Sequence, residues 1–236
     1  MTTANSEQRQ QVFEFADVQT FCISVADCEF LIRKTEETPR VDVVGTAHFL
    51  DDVRAHCDDG RLTVQSTERH ASVSIVSVVK AMAGLGNGLK NEGSIVLYVP
   101  KGIDGEIRVM GSGDGDVLLP LGRLRITIQG SGDVDALEAR ELDVTISGSG
   151  DVSVERVTEQ AVVAVSGSGD VTLASGTLST LQASVNGSGD IDAHVTAATA
   201  ILSVHGSGDI TVDRVSGDVQ QHVRGSGDIT ILKTGE

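Results

Sequence analysis

Gly148-Ser149-Gly150-Asp151-Val152 recurs almost unchanged as Gly167-Ser168-Gly169-Asp170-Val171. The same Gly-Ser-Gly-Asp string starts at Gly111, Gly130, Gly148, Gly167, Gly187, Gly206 and Gly225, so that successive starts differ by 19, 18, 19, 20, 19 and 19. A fixed period of this length marks a repeat architecture in which each unit is one structural turn. The flanks repeat as well. In six copies an apolar residue follows the aspartate directly: Val134, Val152, Val171, Ile191, Ile210 and Ile229. In the first copy Gly115 and Asp116 intervene before Val117. Ahead of the second to sixth corners, apolar residues alternate with others: Ile126 and Ile128, Val144 and Ile146, Val163 and Val165, Ala183 and Val185, Leu202 and Val204. Alternation with period two is the signature of a strand with one buried face.

A unit of about 19 residues has too few inward side chains to bury its own apolar face. Stacking units at about 4.8 Å per turn pairs each strand above and below and makes one continuous core. Hairpin arrays need short turns such as Asn-Gly between strands, and propeller blades need about 40 residues. The sequence therefore predicts an all-β protein, a right-handed parallel β-helix (β-solenoid) with about 19 residues per turn. Three spans are expected: a flexible segment at 1–11, a β-rich cap with the first turns at 12–110, and regular turns at 111–236.

The corner has two readings. Paired glycines permit positive φ at a sharp bend, and Ser and Asp can accept bonds from N–H groups that the turn exposes. Asp114, Asp133, Asp151, Asp170, Asp190, Asp209 and Asp228 then form a structural column of turn caps. Alternatively, carboxylates stacked this closely repel one another, and a divalent cation such as calcium would offset that.

The first hundred residues keep the strand rhythm without the motif. Phe21, Ile23 and Val25 alternate, then Phe30 and Ile32, Val41 and Val43, Leu62 and Val64. Terminal repeats of solenoids are commonly atypical because they cap an open edge. Residues 72–92 interrupt the rhythm with an apolar, glycine-bearing insertion. Ile75, Val78, Val79, Met82, Leu85 and Leu89 make it a candidate interaction segment; the plainer alternative is a strand and loop returning to the strand at Ile95–Val99.

Composition narrows function. Net charge is −16, a surface that repels phosphate backbones and anionic lipid heads, so no nucleic-acid partner is expected. No run of about 18 apolar residues predicts a transmembrane segment. The polar N-terminal segment lacks the pattern of a secretion leader, which points to the cytoplasm, with the cell surface as alternative should a leader be missing. Cys22, Cys28 and Cys57 form neither a disulfide framework nor a zinc site and read as reduced thiols. The histidines of the repeat region, His194, His205 and His222, stand at offsets of 4, 15 and 13 from their corner aspartates Asp190, Asp190 and Asp209. They share no column, so no metal ladder and no cofactor are expected. No nucleophile-elbow or phosphate-loop signature occurs. Carbohydrate-active β-helices use clustered acids beside aromatic platforms; this chain has no Trp and one Tyr, so no catalytic residues are expected and that class is a remote alternative.

Tandem Gly-Ser-Gly-Asp-Val/Ile turns preceded by Ile95-Val96-Leu97-Tyr98-Val99-Pro100-Lys101-Gly102 resemble the auto-transporter adhesin head (GIN) domains and the related toast-rack domains of bacteria. The resemblance runs from about residue 12. It implies a right-handed parallel β-helix, and either exported adhesins or platforms for protein assembly at the cell envelope. The expected function is thus a non-catalytic scaffold or protein-interaction module, linked to the envelope, with a homo-oligomer as one form. A surface-binding, calcium-stabilised adhesin-like module is the alternative.

Overall fold

The computed structural model describes residues 9–66 and 93–235. The candidate interaction segment from Ile75 to Leu89 lies outside them. The fold is a β-solenoid of about seven turns, with about 19 residues per turn. Five long strands each wrap one full turn: β9 (Gly115–Gly130), β10 (Val134–Gly148), β11 (Val152–Gly167), β12 (Val171–Gly187) and β13 (Ile191–Gly206). Each pairs in parallel with the next. The irregular bend within a unit is absorbed by shifts of pairing register, between Ala139 and Glu141, for example, and between Val157 and Gln160. The following turn is split into β14 (Ile210–Val215) and β15 (Val219–Gly225), both stacked on β13, and β16 (Ile229–Thr234) stacks on β14.

The core consists of columns. Ile126, Val144, Val163, Ala183 and Leu202 stand in register and are buried, as are Ile128, Ile146, Val165, Val185 and Val204. Removal of this apolar surface from water is the main stabilising term. In the next turn the place after Leu202 is taken by Gln221, which is exposed. A polar side chain in the inward column marks where the dry core stops.

The N-terminal end departs from a simple stack. β2 (Thr20–Val25) and β3 (Glu29–Lys34) join the parallel ladder through β8 (Asp104–Val109) and β9. Beyond them the pairing turns antiparallel: β1 (Arg9–Glu14) on β4 (Arg40–Gly45), β4 on β7 (Gly93–Val99), and β5 (Arg54–Asp58) on β6 (Arg61–Gln65). Antiparallel neighbours need only short connections, whereas a parallel pair needs a full crossover. The β5–β6 link uses Asp59 and Gly60 at φ 48° and 76°, the pair of positive values that a tight hairpin turn requires. One six-residue helix, α1 (Ala47–Asp52), is capped by Thr46 and carries Phe49 into the core.

Three rings fill this end, each lying over a glycine. A Cβ on Gly93, Gly105 or Gly115 would sit 2.1, 2.3 or 2.0 Å from the ring of Phe49, Phe21 or Phe30 respectively. This accounts for the irregular first copy of the motif. Gly115 occupies the column position held by Val134 in the next turn, and the Phe30 ring supplies the missing volume.

Candidate functional site

The corners form one continuous edge. The backbone N–H of Ser131, Ser149, Ser168, Ser188, Ser207 and Ser226 each donates to the carbonyl of the first corner glycine one turn earlier, at 2.8–2.9 Å. Between these backbone links runs a ladder of carboxylates. Asp133 N–H donates to Asp114 Oδ1 at 3.0 Å, Asp151 to Asp133 at 2.9 Å, and Asp170 to Asp151 at 2.8 Å. Asp190 then donates to Asp170 at 2.8 Å, Asp209 to Asp190 at 2.7 Å, and Asp228 to Asp209 at 2.7 Å. Each side chain from Asp114 to Asp209 thus accepts from the backbone of its successor. Among the described residues no group of three or more His, Cys, Asp or Glu side chains is placed to hold a metal ion.

These bonds separate the two readings of the column by experiment. Asp170→Ala is expected to cost roughly 1–2 kcal/mol, because it leaves the Asp190 N–H without its acceptor. Asp170→Asn keeps Oδ1 and removes one of the stacked charges, so it should lie within about 0.5 kcal/mol of wild type. Urea denaturation with chelator and with calcium measures both. An asparagine variant as damaged as the alanine one, or a calcium-dependent midpoint, would assign the column to cation binding instead.

The sequence motif missed one member of this edge. Phe30 N–H donates to the carbonyl of Asp114 at 2.9 Å, and Gly113 N–H to the carbonyl of Ala26 at 3.1 Å. Ala26-Asp27-Cys28-Glu29 therefore serves as the preceding corner, with Glu29 beside Asp114. The available signal was the alternation Phe21, Ile23, Val25 resuming at Phe30 and Ile32 after this short interruption. Here Asp27 Oδ1 accepts from the Ser112 N–H at 2.7 Å and from its hydroxyl at 3.0 Å.

Glu29 differs from the aspartates. It is only 7% exposed, and its Oε2 has no hydrogen-bond partner. Burial, and then the charges of Asp114 and Asp116, push its carboxyl up to about 7. Its contribution to stability is therefore complete below the ordinary value of 4.5 and is lost as pH rises through about 7. Glu29→Gln should match wild type near pH 4 and exceed it by roughly 1–2 kcal/mol at pH 8, a figure discounted for partial solvation. Denaturation curves at the two pH values test this; an equal difference between the proteins at both would remove the argument.

The broad outer face beside the corners has two halves. Its N-terminal half is a grid of ion pairs: Arg61 and Arg108 on Glu106 at 2.8 and 2.6 Å, Arg123 on Glu141 at 2.6 Å, and Arg125 on Asp143 at 3.0 Å. Burial raises the Glu106 carboxyl, but the guanidinium groups of Arg108 and Arg61 outweigh it and hold the group below its usual range. Bonds from Arg123 and then Gln160 lower Glu141 in the same way. A hollow of about 170 Å³ lies among Arg61, Arg123, Arg125 and Glu106. Its arginines are already matched by carboxylates, so it is not an anion cradle.

In the C-terminal half of the same face the outward positions of β11, β12 and β13 carry no formal charge, and charge returns in the next turn at Arg224, which pairs with His205. The outward positions of β11 are Gln160, Val162, Ala164 and Ser166; those of β12 are Thr180, Gln182, Ser184 and Asn186; those of β13 are Thr199, Ile201, Ser203 and His205. They stand in register as a grid of four columns on three strands. All twelve are exposed or half-exposed.

Fold and surface define a class: a β-solenoid domain whose differentiated feature is a flat, ladder-ordered outer face rather than a cleft. The chain belongs to the family described as "Putative auto-transporter adhesin, head GIN domain", which matches residues 24–235. Solved structures with the same fold include a "putative adhesin" from Parabacteroides merdae, with TM-score 0.69 and 17% identity, covering 96% of this chain and 97% of that one. A "putative lipid binding protein" from Parabacteroides distasonis has TM-score 0.69 and 19% identity, covering 96% and 97%. A "putative adhesin" from Bacteroides fragilis has TM-score 0.62 and 16% identity, covering 96% and 98%. Likeness at such identity speaks for the fold alone. No curated protein matches the chain. The family and these neighbours are described as adhesins or as lipid-binding, not as enzymes. No helix of the described residues is long and apolar enough to cross a membrane.

Proposed function

We propose that this chain is a non-catalytic binding module of the bacterial surface or envelope, and that the uncharged grid on β11, β12 and β13 is the centre of its protein-binding face. The observation that carries this is the grid itself: twelve adjoining outward positions without a charge, on a chain of net charge −16. Charge depletion at the centre with charge at the rim is the compositional mark of protein interfaces. Here Arg123, Glu141, Arg125 and Asp143 provide such a rim. The family description favours a place at the surface or envelope over the cytoplasm that the polar N-terminal segment suggests.

The grid spans roughly 10–14 Å by 20 Å, well below the roughly 800 Å² per partner of a stable standard interface. It therefore serves as a centre to which flanking loops or rim charges add area. A photo-reactive residue placed at Gln182 in the full chain, in living bacteria, should give one defined cross-linked species. Ser184→Glu should abolish it, because a carboxylate would then face the uncharged centre. The same probe at Thr172, outside the grid, should give none. Equal cross-linking from both positions, or none from Gln182, would remove the grid from the account.

A further inference from the structure

The imidazole chemistry of His205, at the corner of the grid, and of His222, one turn beyond it, is something that an uncharged binding face does not by itself use. His205 on β13 and His222 on β15 lie on adjacent turns, one column apart, because Ser203 pairs with His222 and His205 with Arg224. Their ring centroids are 5.5 Å apart with the planes tilted by 50°. Both side chains are exposed.

We propose that His205 and His222 form a two-histidine site for a transition-metal ion of the Cu²⁺, Ni²⁺ or Zn²⁺ class. A ring nitrogen binds such an ion at about 2.0–2.1 Å, which puts the ring centroid roughly 3.2 Å from it. Two centroids 5.5 Å apart then subtend an angle of roughly 120° at the ion, close to what a tetrahedral site accepts. The Ser203 hydroxyl lies 3.4 Å from His205 Nδ1. A bond there fixes the ring and leaves Nε2 for the metal, the usual arrangement around ligating imidazoles. Imidazole suits these ions better than calcium or magnesium, which prefer oxygen. With two protein ligands the remaining positions are open to water or to a donor group from a bound partner. The ion would also tie β15 to β13, joining the turn that carries Gln221 to the last fully buried turn. Arg224 is the opposing influence: it stands opposite His205 and next but one to His222 on the same face, and its charge repels a cation.

The test is calorimetric titration of the full chain with Cu²⁺, Ni²⁺ and Zn²⁺, and with Ca²⁺ as control. One ion per chain is expected, with Cu²⁺ tightest. His205→Asn and His222→Asn should each weaken binding at least 10-fold. Arg224→Gln should tighten it several-fold, an effect that unrelated surface binding would not show. Circular dichroism of each variant checks that the solenoid is retained. Ions that bind equally to wild type and both histidine variants, or an affinity for Cu²⁺ no better than for Ca²⁺, would overturn the site.

Discussion

Replacing Gly187 by alanine is expected to destabilise the solenoid by about 4 kcal/mol or more, enough to prevent accumulation of soluble, folded chain. A Cβ there would sit 2.1 Å from the carbonyl oxygen of Gly167 and 3.0 Å from its carbonyl carbon and nitrogen. All three are backbone atoms, so no rotamer change relieves the clash. Nor can the neighbouring turn retreat, because the Gly167 carbonyl accepts from Ser188 N–H at 2.8 Å and Gly189 N–H at 3.2 Å. The residue also has φ 145°, a conformation that side chains disfavour. Gly102→Ala tests a positive φ without any clash, in the milder left-handed region. Gly102 has φ 75° and nothing within 4 Å of its Cβ position, so it should cost only about 1 kcal/mol. Urea denaturation of the two variants side by side measures the contribution of close stacking. Equal costs would mean that the turns do not approach as closely as described.

The second large effect concerns Phe30. Truncation to alanine empties the space above Gly115 and should cost roughly 3–5 kcal/mol. Gly115→Val alone should be comparably harmful, since even its Cβ would lie 2.0 Å from the ring. Combined, the substitutions restore the arrangement of the next turn, where Val134 fills the same column. The double variant should therefore be more stable than either single one, with a coupling of roughly 1–3 kcal/mol. Strictly additive losses in a double-mutant cycle would show that ring and glycine do not share that space.

The Phe30–Gly115 exchange also shows where the sequence can and cannot be read. In the regular turns every unit solves the same packing problem with the same residues. Seven corners and the alternation around them suffice to predict parallel stacking, the period and the inward columns. The N-terminal end solves the problem once at each position. A ring on one strand answers a glycine on another, and such a pair leaves no periodic trace. Nor does periodicity announce the antiparallel pairing of β1, β4 and β7, because a strand edge satisfied from either direction carries the same alternating pattern. The corner at Ala26–Glu29 was hidden for a related reason: it has neither of the glycines by which the others are recognised. The histidine pair shows a further limit. Counting offsets from the corner finds residues in one column, whereas His205 and His222 meet on a diagonal between columns. The segment from Ile75 to Leu89, read as a candidate contact surface, lies outside the described residues.

The shared register of neighbouring turns bears on how such a chain can change during evolution. β11 touches β10 on one side and β12 on the other, and both offer it the same corner, the same carbonyls and equivalent columns. A recombination event that duplicates or drops one whole turn therefore leaves every remaining neighbour with a compatible surface. A short insertion within a strand would instead throw inward positions outward along the rest of that strand. Length in this architecture should thus drift in steps of one turn. The interval from Gly130 to Gly148 is one shorter than the common period, and that from Gly167 to Gly187 is one longer. Those two departures record the small slack that the bend within each turn can take up without disturbing the corner.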